Sequence, residues 1–186
     1  LYEFDPKKYK QKSMGIVLKR RDNAFIVKRV YNEIIEWIIN KRDIEGSITY
    51  LKNTMMDLIN GKIPLEELVI SKSLNAQYKN PDSIAHKVLA DRMAERDPGN
   101  KPQTNDRIPY VYINVKEKKG QKILQGNRIE HPEYIKEKKL TPDYKFYITN
   151  QIMKPVLQVY SLIMDNPESL FKEVLRIATN RKNKSQ

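Results

Sequence analysis

The chain has 186 residues, no cysteine, and 35 lysines and arginines against 23 acidic residues, a formal net charge of +12. The lack of cysteine excludes disulfides, thiolate nucleophiles and cysteine-based zinc sites. No run approaches the roughly eighteen apolar residues of a membrane-spanning helix. The charge favours a polyanionic partner, with nucleic acid as the first candidate and a membrane surface as the second.

The N-terminal region predicts a basic extended segment followed by an amphipathic helix. Residues 1–21 are extended in character, with a short strand at 16–18, and Asp22 or Asn23 is expected to cap the helix that follows. The apolar positions of that helix recur at helical spacing, which predicts one face turned to a core. These positions are Val27, Val30, Tyr31, Ile34, Ile35 and Ile38.

A second helix is predicted between Asp43, as its cap, and Gly61 at its end. The short join makes it antiparallel to the first. Its inward positions are expected to be Ile44, Ile48, Leu51, Met55, Leu58 and Ile59. A short strand is predicted at 68–70.

The segment 85–115 joins a basic helix to an alternating strand through a polar loop. Asn80 and Pro81 are expected to start the helix, and its core face to carry Ile84, Ala85, Val88, Leu89 and Met93. The Asp97-Pro98-Gly99-Asn100 run predicts a type II turn with positive φ at Gly99. Such a loop is suited to presenting polar groups to a partner.

The strand that follows begins near Arg107 and alternates between two faces. One face carries Ile108, Tyr110 and Tyr112, and the other carries Val111, Ile113 and Val115. Both tyrosines of this strand are expected to pack within the protein. Residues 116–122 around Gly120 predict a hairpin turn or an exposed loop.

The last third predicts two helices, over 142–164 and 167–180, each opened by proline after a capping residue type. Pro155 should kink the first of them. A polar, frayed tail is expected after Ala178.

Catalytic chemistry is not apparent. The chain has no Asp-x-Asp pair, and no glycine-rich loop of a phosphate-binding pattern. Asp91 and Glu95 are one turn apart, a spacing more typical of a solvated helix face than of a site. His86 and His131 lack ligand-spaced neighbours. We therefore expect no catalytic residue, metal ligand or cofactor in this chain.

Several long runs resemble the thumb subdomain of family B DNA polymerases, the group that includes eukaryotic polymerase delta and, most similar, the polymerases of large DNA viruses. The runs are KQKSMGIVLKRRDNA from Lys10, IPLEELVISKSL from Ile63, LADRMAERDPGNKP from Leu89, NDRIPYVYI from Asn105 and YITNQIMKPVL from Tyr147. The resemblance covers about residues 5 to 165. Phe25 stands where the family pattern has proline, Trp37 lies in an otherwise aliphatic helix, and the cysteine-rich modules of polymerase delta are not in this chain.

The resemblance implies a mainly α fold with a small antiparallel β element. It divides the chain into the end of the palm at 1–21, the thumb at 22–165, and a C-terminal helix with a basic tail at 166–186. Because the chain is short for a polymerase and begins at Leu1, without a signal peptide, we expect a fragment or processed piece. In the family the catalytic carboxylates that bind Mg²⁺ lie in the palm, before the region covered here, so this fragment alone should be inactive.

The implied function is to grip primer-template duplex DNA through its backbone and minor groove during replication. Partners are the rest of the polymerase chain and a sliding clamp or processivity factor, with no membrane, in the host nucleus or a cytoplasmic virus factory. The residues carried over as DNA-binding are Lys19, Arg20, Arg21, Lys72, Tyr78, Lys79, His86, Lys87, Arg92, Arg96, Lys101, Asn105 and Arg107. Arg107 is the strongest single candidate.

Structural alternatives stand beside these roles. The run 19–21 could pair with Asp22, and Tyr78 could be a core residue. Loop-bracing contacts are the alternative for Arg92, Arg96, Lys101, Asn105 and Arg107. Two rival functions are also open: a stand-alone basic DNA-binding protein, or an assembly module. The assembly module would use the apolar face of the C-terminal helix, formed by Leu170, Phe171, Val174 and Leu175, although packing onto the thumb is the simpler account of that face.

Overall fold

The computed structural model describes residues 23–118 and 120–184. These residues are mostly helical with one small three-stranded antiparallel sheet, as expected. They form two compact units: unit 1 contains 23–67 and 144–184, and unit 2 contains 68–118 and 120–143. The extended segment and strand expected within 1–21, and a cap at Asp22, lie outside the described residues.

In chain order the helices are α1 Phe25–Ile35, α2 Ile44–Ile59, α3 Ala85–Arg96, α4 Pro132–Lys138, α5 Tyr144–Phe146, α6 Met153–Tyr160 and α7 Lys172–Lys184. The strands are β1 Ile70–Ser73, β2 Arg107–Tyr112 and β3 Ile129–Glu130. A π-helical turn, Glu36–Asn40, extends α1, and another, Tyr147–Ile152, joins α5 to α6. Turns of 3₁₀ helix cover Leu65–Leu68, Pro81–Ser83, Pro98–Asn100, Gln125–Arg128 and Pro167–Phe171. No helix in these described ranges is long and apolar enough to cross a membrane.

The core of unit 1 forms where the apolar stripes of its helices meet. The predicted stripe of α1 is buried from Val27 to Ile35, as is that of α2 from Leu51 to Ile59. The inward placement of Ile44 is wrong: it is 40% exposed, because the first residue of α2 precedes the part that is packed. Large buried side chains from the C-terminal part of the chain complete this core: Tyr147, Ile148, Ile152, Tyr160 and Phe171.

The helix caps were predicted correctly for α2 and incorrectly for α1. The Asp43 carboxylate accepts a hydrogen bond from the Gly46 N–H at 2.8 Å, and Gly61 beyond the other end has a φ of +71°. At α1 the capping position belongs to Ala24, not Asn23, and no side chain caps it. Ala24 is completely buried, so packing rather than a polar cap places the start of α1.

The C-terminal helices differ from the prediction at their ends. Pro142 does not start a helix, because backbone hydrogen bonds at Thr141 and Asp143 tie this stretch to the β2 end of unit 2, and the helix begins at Tyr144. Pro155 follows a π-helical turn, which is where a helix can accommodate the clash between proline and the preceding turn. The helix ends at residue 160 rather than 164.

The predicted fraying after Ala178 is wrong, since α7 continues to Lys184. Its Arg181 donates to the Ile59 carbonyl at 2.9 Å and to the Asn60 side chain at 2.7 Å. These contacts hold the last turns of α7 and satisfy orphan groups at the end of α2.

Unit 2 is built on the sheet, whose strand order is β1-β2-β3. Strand β1 begins at Ile70, later than the strand predicted at 68–70, because the preceding residues form a 3₁₀ turn. It pairs antiparallel with β2, so that Ile70 lies opposite Tyr110 and Ser73 opposite Arg107. Ile108, Tyr110 and Val111 are buried, and the tyrosine prediction holds for Tyr110.

Two turn predictions in unit 2 are wrong. Pro81 starts a 3₁₀ turn and α3 begins only at Ala85, because Ile84 is extended. Gly99 lies in another 3₁₀ turn without positive φ, and Asn105 instead takes the left-handed conformation, with φ +70°. The Asn105 N–H donates to the Leu74 carbonyl at 2.8 Å, which closes the loop onto the end of β1.

Candidate nucleic-acid interface

One exposed face of the β1-β2 pair, at the end where Ser73 lies opposite Arg107, holds the Arg107 guanidinium in a set of oxygen contacts. Arg107 Nε donates to Ser71 Oγ at 3.1 Å, Nη1 to Ser73 Oγ at 3.2 Å, and Nη2 to the Ser71 carbonyl at 2.9 Å. The register explains the contacts. Ser71 and Ser73 are two positions apart and therefore lie on the same face of β1, and Ser73 lies directly opposite Arg107. We call Ser71, Ser73 and Arg107 the serine-arginine fork.

Within the fork, Arg107 keeps unused N–H donors, and no described carboxylate compensates its positive charge. A guanidinium has five N–H donors, and the contacts above use one on each nitrogen, which leaves one on each terminal nitrogen. None of the described carboxylates pairs with Arg107, whose partners are uncharged oxygens. An exposed, positioned guanidinium of this kind can donate two N–H groups to a phosphate.

A tyrosine-histidine pair lies beside the fork. His86 Nε2 is 3.1 Å from the Ser73 carbonyl and 3.2 Å from the Tyr78 hydroxyl, which accepts a hydrogen bond from the Asn75 N–H at 2.8 Å. Because a carbonyl only accepts, Nε2 carries the proton. Burial lowers the pKa of His86, the bond to Ser73 opposes that shift, and the charge of Lys72 adds to it. His86 is therefore neutral near pH 7, and the pair braces the end of β1.

The remaining predicted cations of unit 2 differ in whether they form an ion pair with another described residue. Lys72, Lys79 and Lys101 are exposed and form no ion pair with any described residue. Lys87 pairs with Asp91 at 2.6 Å on the exposed face of α3. Lys19, Arg20 and Arg21 lie outside the described residues.

Arg92 and Arg96 are directed to strand β3, where both bind Glu130. Arg96 contacts both carboxylate oxygens, and Arg92 Nε lies 3.1 Å from one of them. Arg92 also donates to the carbonyls of Gly126 and Ile129, and the Arg96 guanidinium stacks 3.6 Å above the Tyr134 ring. These contacts match the loop-bracing alternative, while DNA contact by the two arginines stays a prediction.

Sequence reasoning missed Ser71, Ser73 and Glu130. The two serines lie two positions apart, a spacing that puts both on one face of a strand, but they fall outside the strand predicted at 68–70 and their partner on β2 was not readable. Glu130 is only 4% exposed, which is unusual for a carboxylate without paired cations. Among the described residues, no group of three or more His, Cys, Asp or Glu is arranged to hold a metal ion.

Comparison with known proteins identifies the family. The family model for DNA polymerase family B matches residues 1–163. The chain is 56% identical over 164 residues to a DNA polymerase of Pyramimonas orientalis virus, covering 88% of this chain and 14% of that protein. It is 54% identical over 170 residues to a DNA polymerase of Acanthamoeba polyphaga mimivirus, covering 90% of this chain and 10% of the virus protein.

A plant relative and a solved structure agree with these matches. The DNA polymerase delta catalytic subunit of Oryza sativa is 38% identical over 168 residues, which are 89% of this chain and 15% of that subunit. The family B DNA polymerase of the archaeon Pyrobaculum calidifontis superposes with a TM-score of 0.62 at 19% identity, over 78% of this chain and 18% of that one. That superposition shows the shared fold. The chain spans only a small part of each relative's length, and it belongs to DNA polymerase family B.

Proposed function

We propose that this chain is the thumb region of a DNA-directed DNA polymerase and that it holds the primer-template duplex during synthesis. Residues 1–21 would end the palm, 22–165 form the thumb, and 166–186 add a C-terminal helix. Family membership and the net charge of +12 support this role. The observation that carries it is the serine-arginine fork, which presents, on an exposed face of the β1-β2 pair, a guanidinium that forms no ion pair with any described residue.

The fork suits phosphate binding rather than base reading. Backbone contacts position a protein on DNA without sequence information, and they require donors fixed in space. Lys79 and Lys101 are exposed in the loops that adjoin the fork, while Lys72, between the two serines, lies on the opposite face of β1. The proposed DNA contacts of unit 2 are therefore Arg107 first, with Lys79 and Lys101 beside it, and Lys72 would make a separate contact from the other face of β1.

Catalysis is assigned to another part of the polymerase. Mg²⁺ chemistry needs converging carboxylates, and the paired aspartates that would fit the ion are not in this sequence. We therefore place no metal-dependent step on this chain, and the purified chain should extend no primer in Mg²⁺ or Mn²⁺. The proposed partners are duplex DNA, the palm of the polymerase, and a sliding clamp or processivity factor, in the host nucleus or a virus factory.

The salt dependence of duplex binding tests the proposal. If three or four cations contact phosphates, log K should fall against log salt with a slope of about −3 to −4 and vary little between unrelated sequences. Arg107→Ala should weaken binding to every duplex and reduce the slope by about one. Fluorescence anisotropy of two labelled duplexes at several salt concentrations measures both.

Arg128→Ala is the matched control, because it removes the same charge from unit 2 at an arginine already paired with Glu117 at 2.6 Å. It should leave the slope nearly unchanged. Strong sequence discrimination, or equal effects of the two variants, would contradict the assignment of Arg107. Loss of thermal stability by Arg107→Ala with an unchanged slope would show that the fork is only a structural brace.

A further inference from the structure

Unit 1 has an open groove of about 630 Å³ along one side of α2 and the start of α7. The volume lies within the range of pockets that hold a specific ligand. Its lining residues are Lys52 and Met56 on α2, and Ser169, Leu170, Lys172, Glu173, Val174 and Arg176 on the facing segment. That facing segment lies beyond residue 163, where the family match ends.

The floor of the groove is apolar. Leu170 and Val174 are 9% and 6% exposed, which shows that most of their surface already packs in the unit 1 core. Met56 is half-buried, and its unbranched thioether can adapt to different shapes. The floor therefore suits one or two apolar side chains of a ligand rather than an extended polar surface.

The rim carries more positive than negative charge. Lys52, Lys172 and Arg176 are exposed, and none of them forms an ion pair with another described residue. Glu173 stands between the two cations of α7. A ligand that matches this groove has an apolar ridge flanked by carboxylates.

A nucleic-acid backbone fits less well. Its phosphates would cross the apolar floor without hydrogen-bond partners, and Glu173 would repel them. An amphipathic helix, in contrast, can place one or two side chains of its apolar face on the floor and hold charged residues alongside, at the rim. We propose that the α2-α7 groove docks an acidic amphipathic helix of a partner protein.

The probe is a fluorescein-labelled helical peptide of about 14 residues, with Leu and Phe on one face and Glu on its flanks. Matched peptides replace every Glu by Gln or by Lys. Fluorescence anisotropy with the full chain in about 0.1 M salt, where charges interact over about 10 Å, gives the dissociation constants. The Glu peptide should bind at least tenfold more tightly than the Gln peptide.

Charge reversal locates the site. Lys172→Glu and Arg176→Glu should each raise the dissociation constant of the Glu peptide by about three- to tenfold. The double variant should bind the Lys peptide in preference to the Glu peptide, a gain that unfolding would not produce. Lys154→Glu is the control, because this exposed lysine of α6 does not line the groove.

Three results would overturn the proposal. The first is no binding of the Glu peptide, or equal binding of the Glu and Gln peptides. The second is an equal loss in Lys154→Glu, which would show a response to net charge alone. The third is that a duplex of about 20 base pairs displaces the peptide, and that Arg176→Glu lowers the affinity for the duplex by the same factor as the affinity for the peptide. This result would make the groove a nucleic-acid surface.

Discussion

Arg96 grips Glu130 through both carboxylate oxygens, with Nη2 2.5 Å from Oε1 and Nη1 3.0 Å from Oε2. The pair joins the end of α3 to β3, and it is reinforced by Arg92 from the preceding turn of the same helix. Burial opposes ionisation of Glu130, yet the hydrogen bonds from Arg96 and the charge of Arg92 outweigh it, and the pKa of Glu130 lies below its ordinary value of 4.5. Arg92 and Arg96, which are predicted from the sequence to bind duplex DNA, thus bind Glu130 within unit 2 and stabilise this edge of the sheet.

Replacing Glu130 by alanine should destabilise unit 2 by about 2–4 kcal/mol, because two partly buried guanidinium groups lose their anion and several hydrogen bonds. Glu117→Ala provides the control. Its ion pair with Arg128 has a similar length but the carboxylate is 55% exposed, so the expected loss is below about 1 kcal/mol. Urea unfolding of both variants measures the difference, and equal losses would show that the buried pair contributes no more than a surface pair.

The contribution of Glu130 should depend on pH in a defined direction. A carboxyl whose pKa is lower in the folded state stabilises the fold above the unfolded pKa, and this stabilisation disappears as pH falls through the folded pKa. The free energy of unfolding of Glu130→Gln should therefore lie below that of the wild type by a constant amount from pH 7 to about 4.5, and should approach it only as pH falls further, through the folded pKa.

The pKa of His86 is also lowered, so its protonation also disfavours the folded state as pH falls below 6.5. Because the wild type and Glu130→Gln both contain His86, the difference between them at each pH reports Glu130 alone. Urea titrations across the acid range supply the curves. A stability difference that stays constant down to pH 3 would mean that the charge of Glu130 does not stabilise the fold.

Trp37 and Gly46 form a complementary pair in unit 1. A Cβ added at Gly46 would lie 2.5 Å from Trp37 Cζ3, so the indole occupies the space above the first turn of α2. Gly46→Ala should destabilise the chain, although alanine is normally favoured over glycine in a helix by about 0.5–1 kcal/mol. In a Trp37→Ala background the same change should recover the part of that loss caused by the ring, while the contact with Asp43 Oδ2, 2.6 Å from the added Cβ, remains. A double-mutant cycle measured by thermal melting tests this, and additive effects would show that the ring does not restrict residue 46.

Gly126 and Gly99 differ in their tolerance of a side chain. A Cβ at Gly126 would collide with the Val88 Cβ and lie 3.0 Å from the Ala85 carbonyl, so the loop after β2 could no longer approach α3 closely. At Gly99 the nearest atom is 3.6 Å away, and φ is not positive. Gly126→Ala should cost about 1–3 kcal/mol by overpacking, while Gly99→Ala should be nearly neutral. Chemical denaturation compares them, and similar losses would contradict the close approach.

The serines of the fork should act through Arg107. Ser71→Ala with Ser73→Ala removes two hydroxyl partners but no charge, so long-range attraction to DNA should persist. Affinity for duplex should fall by about three- to tenfold, because the guanidinium loses its fixed orientation. In an Arg107→Ala background the serine changes should have no further effect. Anisotropy titrations complete the cycle, and an undiminished serine effect without Arg107 would assign the serines another role.

The elements that depend only on neighbouring residues were predicted correctly from the sequence. The apolar stripe of α1 repeats at helical spacing, and the Asp43 cap needs only the next three residues, so both were readable without a fold. Pro142 shows the limit of such reasoning: its local signal favoured a helix start, but backbone hydrogen bonds with 112 and 114 held it in an extended stretch. Likewise Gly99 carried a turn signal, and the left-handed conformation went to Asn105, where the loop closes on Leu74.

The sequence by itself determined the family, the excess of positive charge, the amphipathic helices and the alternating strand, since each depends on residue types or on spacings of a few positions. Only the tertiary structure decided how each cation is used. Arg92 and Arg96 reach Glu130 across 38 and 34 positions, and Arg107 reaches Ser71 across 36, so the partners are set by strand order and register. A guanidinium that binds a buried carboxylate is directed into the fold, while one that contacts only hydroxyl and carbonyl oxygens has no anionic partner there and can bind one outside.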